Sequence, residues 1–244
     1  LDGGDWGGAN LALTMTTEGV LSGSKTFVGC GHEASLILVV GQCDNAPAIA
    51  VVEAADLKAG AISVNTLIDL TKRTAQIDFT GVAAKAVLTG EHVVAAIRDY
   101  RLLGALLTAA EAAGSAARCL AVIVDYLKTR KQFGKLIGSY QALKHPTVDI
   151  YCGVEDARSF CYHAASLLDA DSLSHDAEIA CRMAKVSAGQ TMSYAGDRAV
   201  QFHGGIGFTW DCDSTLFIRR GQWSHQVFGD AIHHRKRLAS LLLD

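Results

Sequence analysis

Two rhythms of apolar and polar positions divide this chain near residue 90. Before it, short apolar runs alternate with turn residues. Val20-Leu21, Lys25 to Val28, Ser35 to Val40, Ala48 to Val52 and Gln76 to Phe79 are such runs, and Gly19, Ser22, Gly29, Gly41, Asn45 and Gly81 punctuate them. Ile77 and Phe79 alternate with Gln76 and Asp78, the period of a strand with one buried face. Runs this short, punctuated this way, predict a small antiparallel β-barrel or sandwich over 1–90.

Beyond residue 90 the period lengthens. From Ala95 to Thr129 there is no proline, and Leu102, Leu103, Leu106, Leu107, Ala110, Ala113 and Ala117 recur three and four residues apart. That spacing is one apolar face of a long helix. A second helix is expected from Gln141 to Leu168, with Pro146 in its first turns or kinking it. Ser174 reads as the N-cap of a third, with Asp176 and Glu178 favouring its positive end, continuing to about Val200. A fourth should close the chain from Asp230 to Leu243. The fold class is therefore α+β in two domains, with an all-α four-helix bundle over 91–244.

Composition excludes more than it selects. Half of the 244 residues are apolar, 19% are charged, and the net charge is -3. No basic block suggests nucleic acid as a partner. Apolar runs such as Leu36 to Val40 are too short to span a bilayer, and no secretory leader opens the chain. The cysteine count is odd, seven, and none has C-x-x-C spacing. Reduced thiols in a cytoplasmic protein are expected, without a disulfide framework or zinc site. A start at Leu1 suggests a fragment or a processed product.

Chemistry concentrates in two segments of the helical half. One is Arg130-Lys131-Gln132-Phe133-Gly134; the other is Gln201-Phe202-His203-Gly204-Gly205-Ile206-Gly207-Phe208. An arginine presents a planar fork suited to phosphate, or simply a cation at a helix end. Paired glycines allow a ligand to approach the backbone, or cap a helix. His203 could hydrogen-bond within its loop or touch a ligand. His233-His234 reads as a surface pair, and Trp210 and Trp223 as packing residues. Asp211 and Asp213 flank Cys212 without further ligands for a metal.

Together these segments resemble the acyl-CoA dehydrogenase family. The resemblance runs from about Thr17 to the end, through Leu21 to Val28, Asp69 to Val82, Arg130 to His145 and Gln201 to Phe208. It implies the family's middle β-domain and carboxy-terminal helical domain, with no counterpart of the amino-terminal helical domain. It also implies FAD as cofactor, an acyl-CoA substrate and assembly with a homologous subunit as a dimer or tetramer. Arg130, Gln132, Phe133, Gln201, Gly204 and Gly205 are the implied cofactor contacts, several made across a subunit interface.

The same resemblance exposes a gap. The family's reaction needs a glutamate to remove a substrate proton, at one of two sites. Those sites fall here on Gly229, within Gln226 to Ala231, and on Gly104. Asp230 and Glu111 are the nearest substitutes; a helix cap and a helix-surface charge are their simpler readings. The flavin-facing Trp-Ile-Thr becomes Phe27-Val28-Gly29, losing a hydroxyl. The pattern resembles the base-less subunit of heteromeric family members known in bacterial steroid side-chain degradation. A homo-oligomeric dehydrogenase using Asp230 or Glu111 is one alternative, and a non-enzymatic flavin-fold interaction protein another.

Overall fold

The computed structural model describes residues 11–168 and 173–243. It contains two compact units, one reaching to Asp99 and the other starting at Tyr100. The division falls inside the first long helix.

Among its described residues the first unit holds eight strands: β1 (Thr14–Met15), β2 (Leu21–Ser22), β3 (Ser24–Gly29), β4 (Leu36–Cys43), β5 (Ala46–Glu53), β6 (Ile62–Asn65), β7 (Thr74–Asp78) and β8 (Ala86–Leu88). They form a five-stranded sheet ordered β2-β1-β4-β5-β8 and a three-stranded sheet ordered β3-β7-β6. Pairing is antiparallel except between β1 and β4, which run parallel. The sheets do not close into a barrel. Leu21, Ile37, Val39 and Val52 from the larger sheet instead share one core with Ala75 and Ile77 from the smaller, together with Leu13 and Phe79 beside the strand ends. β4 and β5 pair from Leu36↔Glu53 to Cys43↔Ala46. Asp44 and Asn45 join them with φ of 51° and 62°. Two successive positive φ values make a two-residue turn whose twist matches the strands, and Asp and Asn tolerate it.

All four helices read from the periodicity are present: α1 (Glu91–Thr129), most of which belongs to the second unit, and α2 (Gln141–Ser166), α3 (His175–His203) and, last, α5 (Ala231–Leu243) within it. A further helix, α4 (Ser214–Gln226), lies before α5. Arg219-Arg220-Gly221-Gln222 breaks its apolar row, and glycine is a weak helix former. α1 is long and apolar enough, by length and composition, to cross a membrane. Its Leu102, Leu106, Ala109, Ala116, Ile123 and Leu127 nonetheless lie in the bundle core. The Ser174 hydroxyl accepts from the Ala177 amide at 3.1 Å and caps α3, as its sequence predicts.

α3 is the hub, packing against α2, α4 and α5. Its buried row is mostly small: Ala177, Ala180, Cys181, Ala184, Ala188, Ala195 and Ala199. Small side chains let backbones approach closely. A Cβ built on Gly196 would lie 2.8 Å from Ile218 Cα and 3.0 Å from its nitrogen. Backbone atoms cannot rotate aside. Gly196→Ala should therefore cost about 1–3 kcal/mol in urea unfolding, despite alanine's better helix propensity. Gly114, on α1 with open space around it, is the control. Its replacement by Ala should stabilise by up to about 1 kcal/mol. Equal effects at both positions would contradict the close α3–α4 approach.

All seven cysteines are free. Burial pushes the Cys119 thiol up to about 12 and the Cys181 thiol up to about 11. Both behave as small apolar side chains.

Candidate functional site

Arg130 follows the last turn of α1 directly. Its amide donates to the Tyr126 carbonyl at 2.9 Å, and its carbonyl accepts from Ile137 at 2.9 Å. Between those anchors runs a small hairpin, β9 (Lys131–Gln132) and β10 (Lys135–Leu136). Phe133 and Gly134 form its turn, with φ of 53° and 76°. The Phe133 ring is 91% exposed. The Tyr140 hydroxyl donates to the Gln132 carbonyl at 3.2 Å and braces the hairpin from the start of α2. Arg130 and Gln132 are exposed too. The hairpin thus presents a guanidinium, an amide side chain and an aromatic ring outward.

The second segment ends α3. Gln201 is exposed, and Gly204 ends the helix at a φ of 62°. Gly204 and Gly205 have open space where a Cβ would stand, whereas a Cβ on Gly207 would strike the Val200 carbonyl. The first two glycines leave backbone accessible, and the third lets the loop fold back onto α3. The buried Ser214 hydroxyl donates to the Gly207 carbonyl at 3.0 Å and holds that fold.

His203 joins the two segments. Its ring stacks on Tyr126, centroids 4.2 Å apart and planes 26° from parallel. Nδ1 lies 2.7 Å from the Ala199 carbonyl, so it carries the proton and donates. The ends of α1 and α3, bearing Arg130 and Gln201, therefore lie together at one end of this unit. His203 is buried, with both its ring face and its Nδ1 proton engaged inside the unit. Trp210 differs from its reading as a packing residue. It is exposed, with the Arg219 guanidinium 4.0 Å above its ring.

Both expected base positions are filled by other parts of the same unit. A Cβ on Gly104 would lie 2.6 Å from Phe228 Cδ1, and closer still to Cζ and Cε1. Gly229 has a φ of 104°, and a Cβ there would lie 2.7 Å from His234 Nε2. The substitutes are occupied. Asp230 Oδ1 accepts from the His233 amide at 2.8 Å, capping α5. Glu111 is paired with Arg220.

The turn at Phe228 and Gly229 rests on a buried polar cluster that the sequence does not announce. His234 is 2% exposed, which corrects its reading as half of a surface pair. Its Nε2 donates to the Phe228 carbonyl at 3.0 Å. Its Nδ1 accepts from Arg182 at 3.3 Å. Arg182 is held in turn by Glu178, one turn earlier on α3, at 2.6 Å and 2.9 Å. Burial, with the charges of Lys185 and Arg182, pushes the imidazole down to about 3 and keeps it neutral. Lys185, 3% exposed, donates to the Ser224 and His225 carbonyls at the end of α4, at 2.7 and 3.2 Å. Burial pushes Lys185 down to about 8, against the pull of Asp230. One signal was available: a lysine standing among Cys181, Ala184 and Ala188 on an otherwise apolar face.

In the β unit, β3 has a register shift between Lys25 and Val28 against β7. Phe27 sits in that bulge at a φ of 54°. No group of His, Cys, Asp and Glu among the described residues is arranged to hold a metal.

The family profile described as acyl-CoA dehydrogenase, C-terminal domain, matches residues 96–239. Acyl-CoA dehydrogenase IpdE2 of Mycolicibacterium smegmatis is 40% identical over 134 residues, 55% of this chain and 40% of that protein. Acyl-CoA dehydrogenase fadE12 of Mycobacterium bovis is 31% identical over 221 residues, 85% of this chain and 52% of that protein. The chain thus spans about half, or less, of the length of these relatives. A chain of the ChsE4-ChsE5 complex from Mycobacterium tuberculosis matches with a TM-score of 0.83 and 25% identity, over 99% of this chain and 65% of that one. With a profile covering most of its helical half, this chain belongs to the acyl-CoA dehydrogenase family.

Proposed function

We propose that this chain is a subunit of an FAD-dependent acyl-CoA dehydrogenase, and that it completes the flavin site of a homologous partner rather than supplying a base. The reaction is α,β-dehydrogenation of an acyl thioester. A carboxylate takes the α-proton, and the β-hydrogen leaves with its electron pair. FAD, when bound, accepts that hydride. Arg130 would bind the pyrophosphate as a fork, Phe133 would cover an apolar face of the cofactor, and Gln201 with Gly204 and Gly205 would bind its outer end.

The carrying observation is a contrast within one unit. The groups suited to grip a dinucleotide point outward, while both places for a base are packed shut. The donor set suits FAD: a guanidinium for phosphate, an exposed ring for an aromatic system, glycines for close approach. The strand resembling the flavin-facing one carries Gly29 where the family has a hydroxyl, consistent with a cofactor reacting elsewhere. The existence of a two-component relative, ChsE4-ChsE5, supports a heteromeric assembly. Asp230 and Glu111 are weaker base candidates, because each already has a local partner.

Expression alone and with a glutamate-bearing homologue tests this. The isolated chain should carry little flavin, and the pair should carry FAD and turn over acyl-CoA. Stoichiometric flavin with turnover in the isolated chain would overturn the proposal. In the active pair, Asp230→Asn should leave kcat unchanged.

A further inference from the structure

The backbone of Phe228 is held from several directions, and its ring packs on Tyr100. Its backbone has a φ of 58°, a conformation costing an ordinary residue about 1–2 kcal/mol. Its carbonyl is tied to His234 at 3.0 Å. The amides on either side are also bound: Val227 donates to the Trp223 carbonyl at 3.1 Å and Gly229 to the Gln226 carbonyl at 3.2 Å. The ring meets Tyr100 edge-on, centroids 5.6 Å apart at 71°. Between Tyr100 and Thr108, one turn to either side on α1, the position facing the ring is Gly104. The Thr108 hydroxyl donates to the Gly104 carbonyl at 2.8 Å, and α1 runs through this position unbroken. A glycine inside a regular helix normally weakens it by about 1 kcal/mol relative to alanine. Here Gly104 makes room for the ring.

We propose that Phe228 is a plug: its ring occupies the start of any side chain at position 104, so a carboxylate there and Phe228 exclude each other. The inference deepens the reading of this chain as a base-less subunit and takes its functional meaning from it. The missing base is then a paired change. A glutamate at 104 has no room until Phe228 is trimmed, and the Arg182–His234 contact holds the turn that carries the plug.

A stability cycle on the full chain tests this without flavin or partner. Helix propensity alone predicts that Gly104→Ala raises Tm. With the plug present it should lower Tm by roughly 2–6 °C, and in a Phe228→Ala background raise it by roughly 2–4 °C. Gly104→Glu should lower Tm further in the wild-type background, yet leave Phe228→Ala within about 2 °C of its own Tm. If Phe228→Ala does not fold, Phe228→Leu, which lacks the Cε and Cζ atoms, should reduce the penalty of Gly104→Ala. A rise in Tm for Gly104→Ala in the wild-type background, or equal effects in both backgrounds, would overturn the plug. That result would leave partner completion standing. Failure of the flavin experiment would likewise leave the plug standing.

Discussion

Arg130→Ala should strip FAD from the assembled complex while leaving this chain folded. The side chain is exposed at the end of α1, and the bonds that shape its turn, from Arg130 to Tyr126 and from Ile137 to Arg130, are backbone bonds. Truncation therefore spares the hairpin. A charge-assisted, two-pronged contact to phosphate contributes about 1.5–3 kcal/mol, equivalent to roughly ten- to a hundredfold in affinity. Arg130→Lys keeps the charge but loses the fork, so its loss should be intermediate. Lys131→Ala, next in sequence and also exposed, controls for charge alone and should change little. Flavin fluorescence released on dilution measures the affinity, and circular dichroism checks the fold. An Arg130→Ala complex with undiminished flavin would remove the residue from the site.

The second large effect is in acid. His234 is held neutral to about pH 3 in the folded chain, whereas an unfolded histidine takes up its proton near pH 6.5. Below about 6.5 the unfolded state therefore binds more protons, and stability falls as pH falls. The loss approaches about 1.4 kcal/mol per pH unit for this one group. The neighbourhood sets the sign. Burial first, and then the charges of Lys185 and Arg182, lower the imidazole's affinity for a proton, and the Phe228 carbonyl raises it only in part. His225, also pushed down by burial and Lys185, adds in the same direction. His234→Gln can still donate to the Phe228 carbonyl and accept from Arg182. Urea unfolding between pH 7 and pH 5 should therefore show a shallower fall for His234→Gln than for wild type. Parallel profiles would mean that the buried imidazole is not what acid attacks.

These cases show what one-dimensional reading reaches. Periodicity located the long helices because α1 and α3 bury continuous rows of leucine and alanine, and one row is visible in one segment. It located the β4 and β7 runs because each has one buried face. It missed β6 and β8, which are short, and α4, whose pattern Arg219 to Gln222 interrupts. The two candidate segments stand out in the sequence as local spellings. Their joining through Tyr126 and His203 does not, since a stacked pair leaves no mark in either segment alone. The same holds for the gap at 104. Sequence shows an absent carboxylate, but only folding brings Phe228 against Gly104 and buries His234 beneath the turn.

The hairpin tip carries one more consequence. An aromatic residue in a left-handed turn, with its ring almost wholly in water, is a poor choice for a chain living alone. Asparagine or glycine would suit that corner better. A lone subunit and an assembled one therefore rank sequences at position 133 in opposite order. Stabilising this chain by itself would select away the ring that, in the proposed assembly, covers a neighbour's cofactor.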